Sequence, residues 1–132
     1  ADISSADSAY EKMPRPLDII CGRSTRESGC HVGNRWFRTL VFHYEQSYQA
    51  ALRQSQKSRL VDDLLRVINM KGGRFVEKRI LCADGTTTKP LVKLAQQLEE
   101  GETVVYCPIQ SSNIIEEKVR KALRRTKNNA GW

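Results

Sequence analysis

The sequence has no long apolar run and no cluster of cysteines or histidines. No stretch approaches the roughly 20 consecutive apolar residues with which a helix crosses a membrane. The polar N-terminus also lacks the apolar core of a secretory signal peptide. These absences predict a chain that has no membrane contact and works inside the cell, where thiols stay reduced.

Metal-binding and catalytic signatures are scarce as well. The four cysteines form no Cys-x-x-Cys pair, and the two histidines complete no zinc-finger spacing. Cys30 and His31 are neighbours, so their side chains diverge and are poorly placed to share one ion with Cys21 and His43. No motif orients a nucleophile against a base. We therefore predict a protein that is not an enzyme and binds no metal ion or other cofactor.

Positive charge is what the chain has in abundance. It carries 22 lysines and arginines against 15 acidic residues, a net charge of +7, and its pI is about 9.5. Such a balance favours a polyanionic partner. A basic surface that binds only water and counterions explains the same composition equally well. The length of 132 residues suits one domain with its own core.

Hydrophobic periodicity predicts an α+β fold, a mainly helical single domain with about four helices and a small sheet. Asn34 is predicted as the N-cap of the first helix, Pro90 as the first turn of the third, and Asn113 as the N-cap of the last. The predicted elements are strand 17–21, helix 35–52, helix 56–70, strand 74–81, helix 90–98, strand 103–107 and a helix from 114.

Two adjacent helices followed by a strand, with glycines at the joint, are also compatible with a winged-helix-like arrangement, a helix-turn-helix that carries a wing. Around this domain the composition predicts two tails. Residues 1–16 are small and polar and end in two prolines, so they are predicted to be a flexible N-terminal tail. The basic globular domain then spans residues 17–127, and residues 128–132 are predicted to fray.

The loop at 22–34 is the first candidate site. It follows a short apolar strand, contains glycines and arginines and leads into a helix, an arrangement that suits binding of an anion. Arginine also binds phosphate through two parallel hydrogen bonds. Alternatively, Arg23 and Arg38 are structural and hold the loop to Asp18 or to backbone carbonyls. The candidate phosphate ligands here are Arg23, Arg26, Asn34, Arg35 and Arg38.

Basic faces on two helices are the second candidate site. Basic residues there recur at helical spacing on the side away from the apolar stripe, where they could reach nucleic-acid phosphates. The alternative is an ordinary solvated helix face. The candidate residues are Lys57, Arg59 and Arg66 on the second helix and Lys121, Arg124 and Arg125 on the last.

A series of short motifs gives the chain a family resemblance. They are Cys21-Gly22-Arg23, the His-x-Gly-Asn-x-x-Phe-Arg segment from His31 to Arg38, Tyr48, Lys57, Gly72-Gly73-Arg74-Phe75 and the segment from Lys118 to Arg124. With these motifs the chain resembles a domain of unknown function that is widespread in diatom and other stramenopile proteins. The resemblance implies a domain that covers most of the chain past residue 16, and it implies no activity.

The sequence therefore predicts a basic domain that binds nucleic acid, with DNA as the first expectation, in a nuclear transcription regulator. The alternative is a protein-interaction module that binds an acidic or phosphorylated partner. Both hypotheses rest on the same arginines and lysines, and the position of those side chains in the fold bears on both.

Overall fold

A computed structural model describes residues 10–22, 29–91 and 98–125 of the chain. Within these ranges three helices and four strands form an α+β domain, which confirms the predicted class and the small sheet. In chain order the elements are β1 (Asp18–Cys21), α1 (Val32–Ala50), α2 (Gln54–Met70), β2 (Arg74–Leu81), β3 (Thr88–Pro90), β4 (Thr103–Pro108) and α3 (Ser112–Arg125).

The sheet is built around β2. Strand β1 runs parallel to the first half of β2, and β3 runs antiparallel to its second half along the same edge. Strand β4 pairs antiparallel with β2 along the other edge. A parallel pair needs a long crossover connection, and α1 and α2 provide it between β1 and β2. The crossover therefore places both helices against the sheet.

The main core lies between the helices and one face of the sheet. Ile19 and Phe75 supply its sheet side, and the ring of Phe37 meets that of Phe75 edge to face at 5.6 Å. A second, smaller cluster of Ile20, Val76 and Tyr106 is also buried. At the start of β2 the consecutive residues Phe75 and Val76 are both buried, so the prediction from the alternating pattern of residues 74–81, which is typical of a strand with one solvent-exposed face, is wrong there. The helical members of the main core are Val41, Tyr48, Val61, Leu64, Ile68, Val119 and Leu123.

Helix α1 begins earlier than predicted. Its N-cap is His31, and Asn34 lies inside the first turn, so Asn34 is not the N-cap. Its amide is used elsewhere: Oδ1 accepts a hydrogen bond from the Ile20 N–H at 2.9 Å, and Nδ2 donates to the Ile20 carbonyl at 3.0 Å. Gly33 permits this approach, because a Cβ there would lie 1.9 Å from the Asp18 carbonyl oxygen.

Helix α2 ends at Met70, the predicted last residue, and the two glycines at the joint follow it. Gly72 adopts a φ of +82°, a conformation that glycine takes without strain. The Gly72 N–H donates to the Asn69 carbonyl and the Gly73 N–H to the Ile68 carbonyl, which is the Schellman pattern. A Cβ at Gly73 would lie 2.6 Å from the Trp36 ring. The two glycines therefore both end the helix and let α1 pack against it.

The other helix ends depart from prediction. Leu52, the last residue of the predicted helix 35–52, follows the end of α1 and is 95% exposed. It lies there because its N–H and that of Arg53 donate to the side chain of Gln56, in the first turn of α2. At α3 the hydroxyl of Ser111, and not Asn113, accepts the N–H of Ile114 at 3.3 Å, one turn into the helix.

Most of the predicted third helix, residues 92–97, lies outside the described residues. Its predicted first residue, Pro90, is instead the last residue of β3, opposite Arg79. Asp84 explains the difference, because its carboxylate accepts the N–H groups of Thr86 and Thr87 and folds a turn that returns the chain along β2. Proline is tolerated on an edge strand such as β3, where no ladder partner is lost.

Residues 10–16, which belong to the predicted N-terminal tail, lie against the domain. The N–H of Glu11 donates to the Tyr106 carbonyl at 2.9 Å, and the Tyr106 N–H donates to the Glu11 carbonyl at 2.7 Å.

Each of the helices described for this chain is too short or too polar to cross a membrane.

Candidate nucleic-acid interface

The structure describes only the two ends of the loop at 22–34. Arg23 and Arg26 lie in residues 23–28, outside the described part of the chain. Arg38 is exposed, and its Nη2 donates to the Gly29 carbonyl at 2.8 Å. This is the backbone contact that the structural alternative predicted for Arg38, and it holds the end of the loop to α1.

Asp18 is held by Arg74, which belongs to neither of the two candidate sites predicted from the sequence. Arg74 Nε donates to Asp18 Oδ1 at 2.8 Å, and its Nη2 also pairs with Glu11. The hydrogen bond to Asp18 raises the pKa of Arg74 above its ordinary value. The side-chain bond from Arg15 lowers the pKa of Glu11. Asp18 is 1% exposed, so this network is a structural fastener.

Asn34 and Arg35 are adjacent on α1 but differ in their surroundings. The Oδ1 and one Nδ2–H of Asn34 are bonded to Ile20, so its side chain is tied to β1 and has only one N–H left to donate. The Arg35 side chain is exposed, and it forms no hydrogen bond or ion pair with any residue that the structure describes. Of these two predicted ligands, only Arg35 presents a charged side chain to solvent.

The second candidate site is assembled where the three helices meet. Arg120 Nη2 donates to the Ser58 hydroxyl at 3.3 Å, which joins the last half of α3 to the first half of α2. Gln49 Nε2 donates to the Leu123 carbonyl at 3.0 Å and joins the end of α1 to the same place. We call this region the basic corner; it comprises Arg53, Lys57, Arg59, Arg120, Lys121, Arg124 and Arg125.

The charges of the basic corner are mostly turned to solvent. Arg59 and Lys121 are exposed, and neither pairs with another described residue. Arg124 meets Glu117 at 3.1 Å, but about half of each side chain is exposed, and such surface pairs hold charge weakly. The Lys57 ammonium lies 5.4 Å from the centre of the Tyr48 ring, which fixes it between α1 and α2.

Arg66 and Arg125 complete the set predicted from the sequence. Arg66 lies further along α2 than the basic corner, about 10 Å beyond Arg59 at 1.5 Å per residue. It pairs with Asp63 at 3.3 Å while its side chain stays 67% exposed. Arg125 is the last residue of α3, and the structure describes its backbone only.

Two of the four cysteines, Cys21 and Cys107, have thiols that are partly shielded from solvent. Burial raises the pKa of Cys21 to about 11, and burial also raises the pKa of Cys107. Because the thiolate is the reactive and metal-binding form, both thiols are disfavoured as nucleophiles or ligands. Among the described residues, no three of the histidine, cysteine and acidic side chains come together in a way that could hold a metal ion.

A cleft of about 290 Å³ lies between the end of β1 and the first turns of α3. Glu77 and Lys118 bring opposite charges to its wall, and Ile109 and Ile114 bring apolar surface. Cys21 also lines it, with its thiol bonded to the Ile19 carbonyl. Because its lining combines opposite charges with apolar surface, the cleft does not favour an anion, and we do not count it as part of the basic corner.

Comparison with known proteins identifies the domain without assigning it an activity. No curated protein and no solved structure matches the chain. One family model matches residues 18–125, a range that begins with the first residue of β1 and ends with the last residue of α3. The chain therefore belongs to the family described as a domain of unknown function, DUF6824.

Proposed function

We propose that this domain binds nucleic acid, with duplex DNA as the first ligand to test, through the basic corner. The observation that carries the proposal is the hydrogen bond between Arg120 and Ser58, which brings the basic half of α3 beside the basic half of α2. Phosphate groups are the natural partners of such a surface, since neutralising them releases condensed counterions.

Helix α3 contributes most of the charge. From Ser112 to Arg125 it has five basic residues and two acidic ones, a net charge of +3. Basic residues near a helix C-terminus also neutralise the helix dipole, and this alone could explain the last turn. Lys118, Arg120 and Lys121 lie before that turn, however, so the dipole does not account for them.

The two helices would divide the work of binding. Lys121, Arg124 and Arg125 on α3 would contact phosphates and hold the domain on the duplex. Helix α2 would be the recognition helix of a helix-turn-helix, with Arg59 and Arg66 reaching base edges in the major groove. The order α1, α2 and then the β2–β3 hairpin supports a winged-helix-like use of the fold, and a transcription regulator in the nucleus is the setting that fits it.

A titration of random-sequence duplex DNA against salt tests the proposal. The logarithm of the affinity should fall linearly with the logarithm of the salt concentration, and each phosphate contact removed should reduce the slope by about 0.9. The double variant Lys121→Gln/Arg125→Gln should therefore bind all sequences more weakly and with a shallower slope. The matched control is Lys12→Gln/Lys71→Gln, which removes the same charge at exposed positions outside the basic corner.

Two results would count against the proposal. If the control variant weakens binding as much as the corner variant, net charge and not the basic corner is responsible. If neither duplex nor single-stranded DNA binds even at low salt, where this electrostatic attraction is strongest, nucleic-acid binding fails as the function. The interaction module with an acidic or phosphorylated partner would then take its place.

A further inference from the structure

Phe42 is an apolar side chain in an unusual position. It lies on the solvent side of α1 and is 69% exposed. Its ring meets the ring of His43 edge to face, with 6.0 Å between centres and 70° between planes. Single exposed apolar residues are common and need no explanation. The exposure of Phe42 calls for an explanation because of the side chains that share its face of α1.

Arg38 precedes Phe42 by four residues on α1, and Arg35 precedes Arg38 by three. Residues at these spacings lie one above another on the same face of a helix. Both arginines are exposed, and the contact of Arg38 with the Gly29 carbonyl uses one of its five donors. We call this set, Arg35, Arg38 and Phe42, the aromatic–basic stripe.

The stripe leads towards the basic corner. Gln49 lies seven residues after Phe42, which is two helical turns, or about 10 Å, along the same face. The Gln49 side chain reaches the Leu123 carbonyl, so this flank of α1 borders the last turns of α3. A chain of phosphates bound at Lys121 and Arg124 could therefore continue along α1 and bring a base to Phe42.

We infer that Phe42 stacks on an unpaired base, so that the preferred ligand is a single-stranded nucleic acid or a duplex with an unpaired end. This inference rests on the proposed function and names the ligand class for it. Proteins that bind single strands combine a basic path along the backbone with aromatic rings on which bases stack. Bases inside an intact duplex present only their edges to a side chain, so they leave the ring of Phe42 without a partner.

The test compares three probes on the complete chain at one salt concentration. They are a single-stranded DNA of about 16 nucleotides, the same strand without bases, and the duplex. Phe42→Ala should lower affinity for the first probe by roughly five- to 100-fold, the effect of losing one stacked base, and should leave the other two unchanged. Phe42→Leu should behave like Phe42→Ala, because it keeps an apolar side chain and loses the ring.

Two further variants complete the design. Phe42→Trp should retain affinity, and its added fluorescence should be quenched by the single strand and not by the strand without bases. Met70→Ala is the matched control, since Met70 is an exposed apolar residue at the far end of α2, at 78% exposure, and its removal should change nothing. Circular dichroism should show the same helix content in every variant.

The outcomes separate this inference from the proposed function. If Phe42→Ala binds all three probes as the unchanged chain does, and binding still weakens with salt, the stacking inference is overturned and the basic corner stands. Equal affinity of the unchanged chain for strands with and without bases would overturn it in the same way. If none of the probes binds at low salt, the proposed function fails, and the inference fails with it.

Discussion

Arginines at the β1–β2 junction and at the basic corner are surrounded by different partners. Arg74 is 21% exposed and bonds both Asp18 and Glu11, so its charge is consumed inside the fold. Arg59 and Lys121 face solvent and pair with no other described residue. The formal net charge of +7 counts these residues alike. Which basic residues can meet a ligand is therefore decided by their carboxylate neighbours, and not by composition.

Replacing Arg74 should have the largest effect on stability. A small effect would contradict the contrast between Arg74 and the residues of the basic corner. Arg74→Met should lower the free energy of unfolding by roughly 3–5 kcal/mol, because Asp18 would be left as an unpaired buried charge. Arg59→Met should change it by less than about 0.5 kcal/mol, as expected of a surface residue. Urea denaturation of both variants measures the difference.

A second variant separates lost charge from lost packing at this junction. Asp18→Asn combined with Arg74→Met should recover part of the lost stability, because no unpaired charge remains. A loss below about 1 kcal/mol for Arg74→Met alone would mean that Asp18 finds another partner, and the junction would not differ from the surface.

The second-largest effect on stability is expected at Gly33, where α1 closely approaches β1. Gly33→Ala places a Cβ 1.9 Å from the backbone oxygen of Asp18, so the helix must move away from the strand. We expect a cost of about 1–3 kcal/mol in the free energy of unfolding, as for other overpacked sites. Gly29→Ala is the control, since its Cβ would meet nothing within 4 Å. Equal effects of the two substitutions would show that packing at Gly33 is not responsible.

The smallest expected effect is on the pH dependence of stability, through Glu11. The pKa of Glu11 is lowered in the folded chain, first by its hydrogen bond to Arg15. A lowered pKa contributes stability that is present above the ordinary value of 4.5 and is lost as the pH falls through the folded value. Glu11→Gln should therefore reduce the loss of stability below pH 4.5, whereas Glu100→Gln on an exposed turn should not. Denaturation midpoints at several acidic pH values would detect the change.

Local patterns predicted much of the fold. The bounds of β2 are correct, because Gly72 and Gly73 end α2 with a local backbone pattern and alternation marks the strand. The predicted cap at Asn34 failed for a reason that lies outside the local sequence. Asn34 bonds Ile20, 14 residues away, and a side chain that is engaged by another element cannot cap its own helix.

The candidate site was predictable only in part. Periodicity identified the basic helix faces, but the contact between Arg120 and Ser58 spans 62 residues of sequence. The fastener between Arg74 and Asp18 spans 56 residues. Neither pair has a signature in a single sequence, because the pairing depends on how the crossover packs. The charge of Arg74 therefore looked no different from that of Arg59 until the fold brought Asp18 beside it.

The Asn34 amide also has a consequence for assembly. It offers one acceptor and one donor to the outward N–H and C=O of Ile20, the two groups that a neighbouring strand would otherwise engage. Unpaired strand edges recruit other chains and promote aggregation. By occupying the outer edge of β1, this single side chain blocks further growth of the sheet at Ile20 and helps to keep the domain from adding a strand of another molecule there.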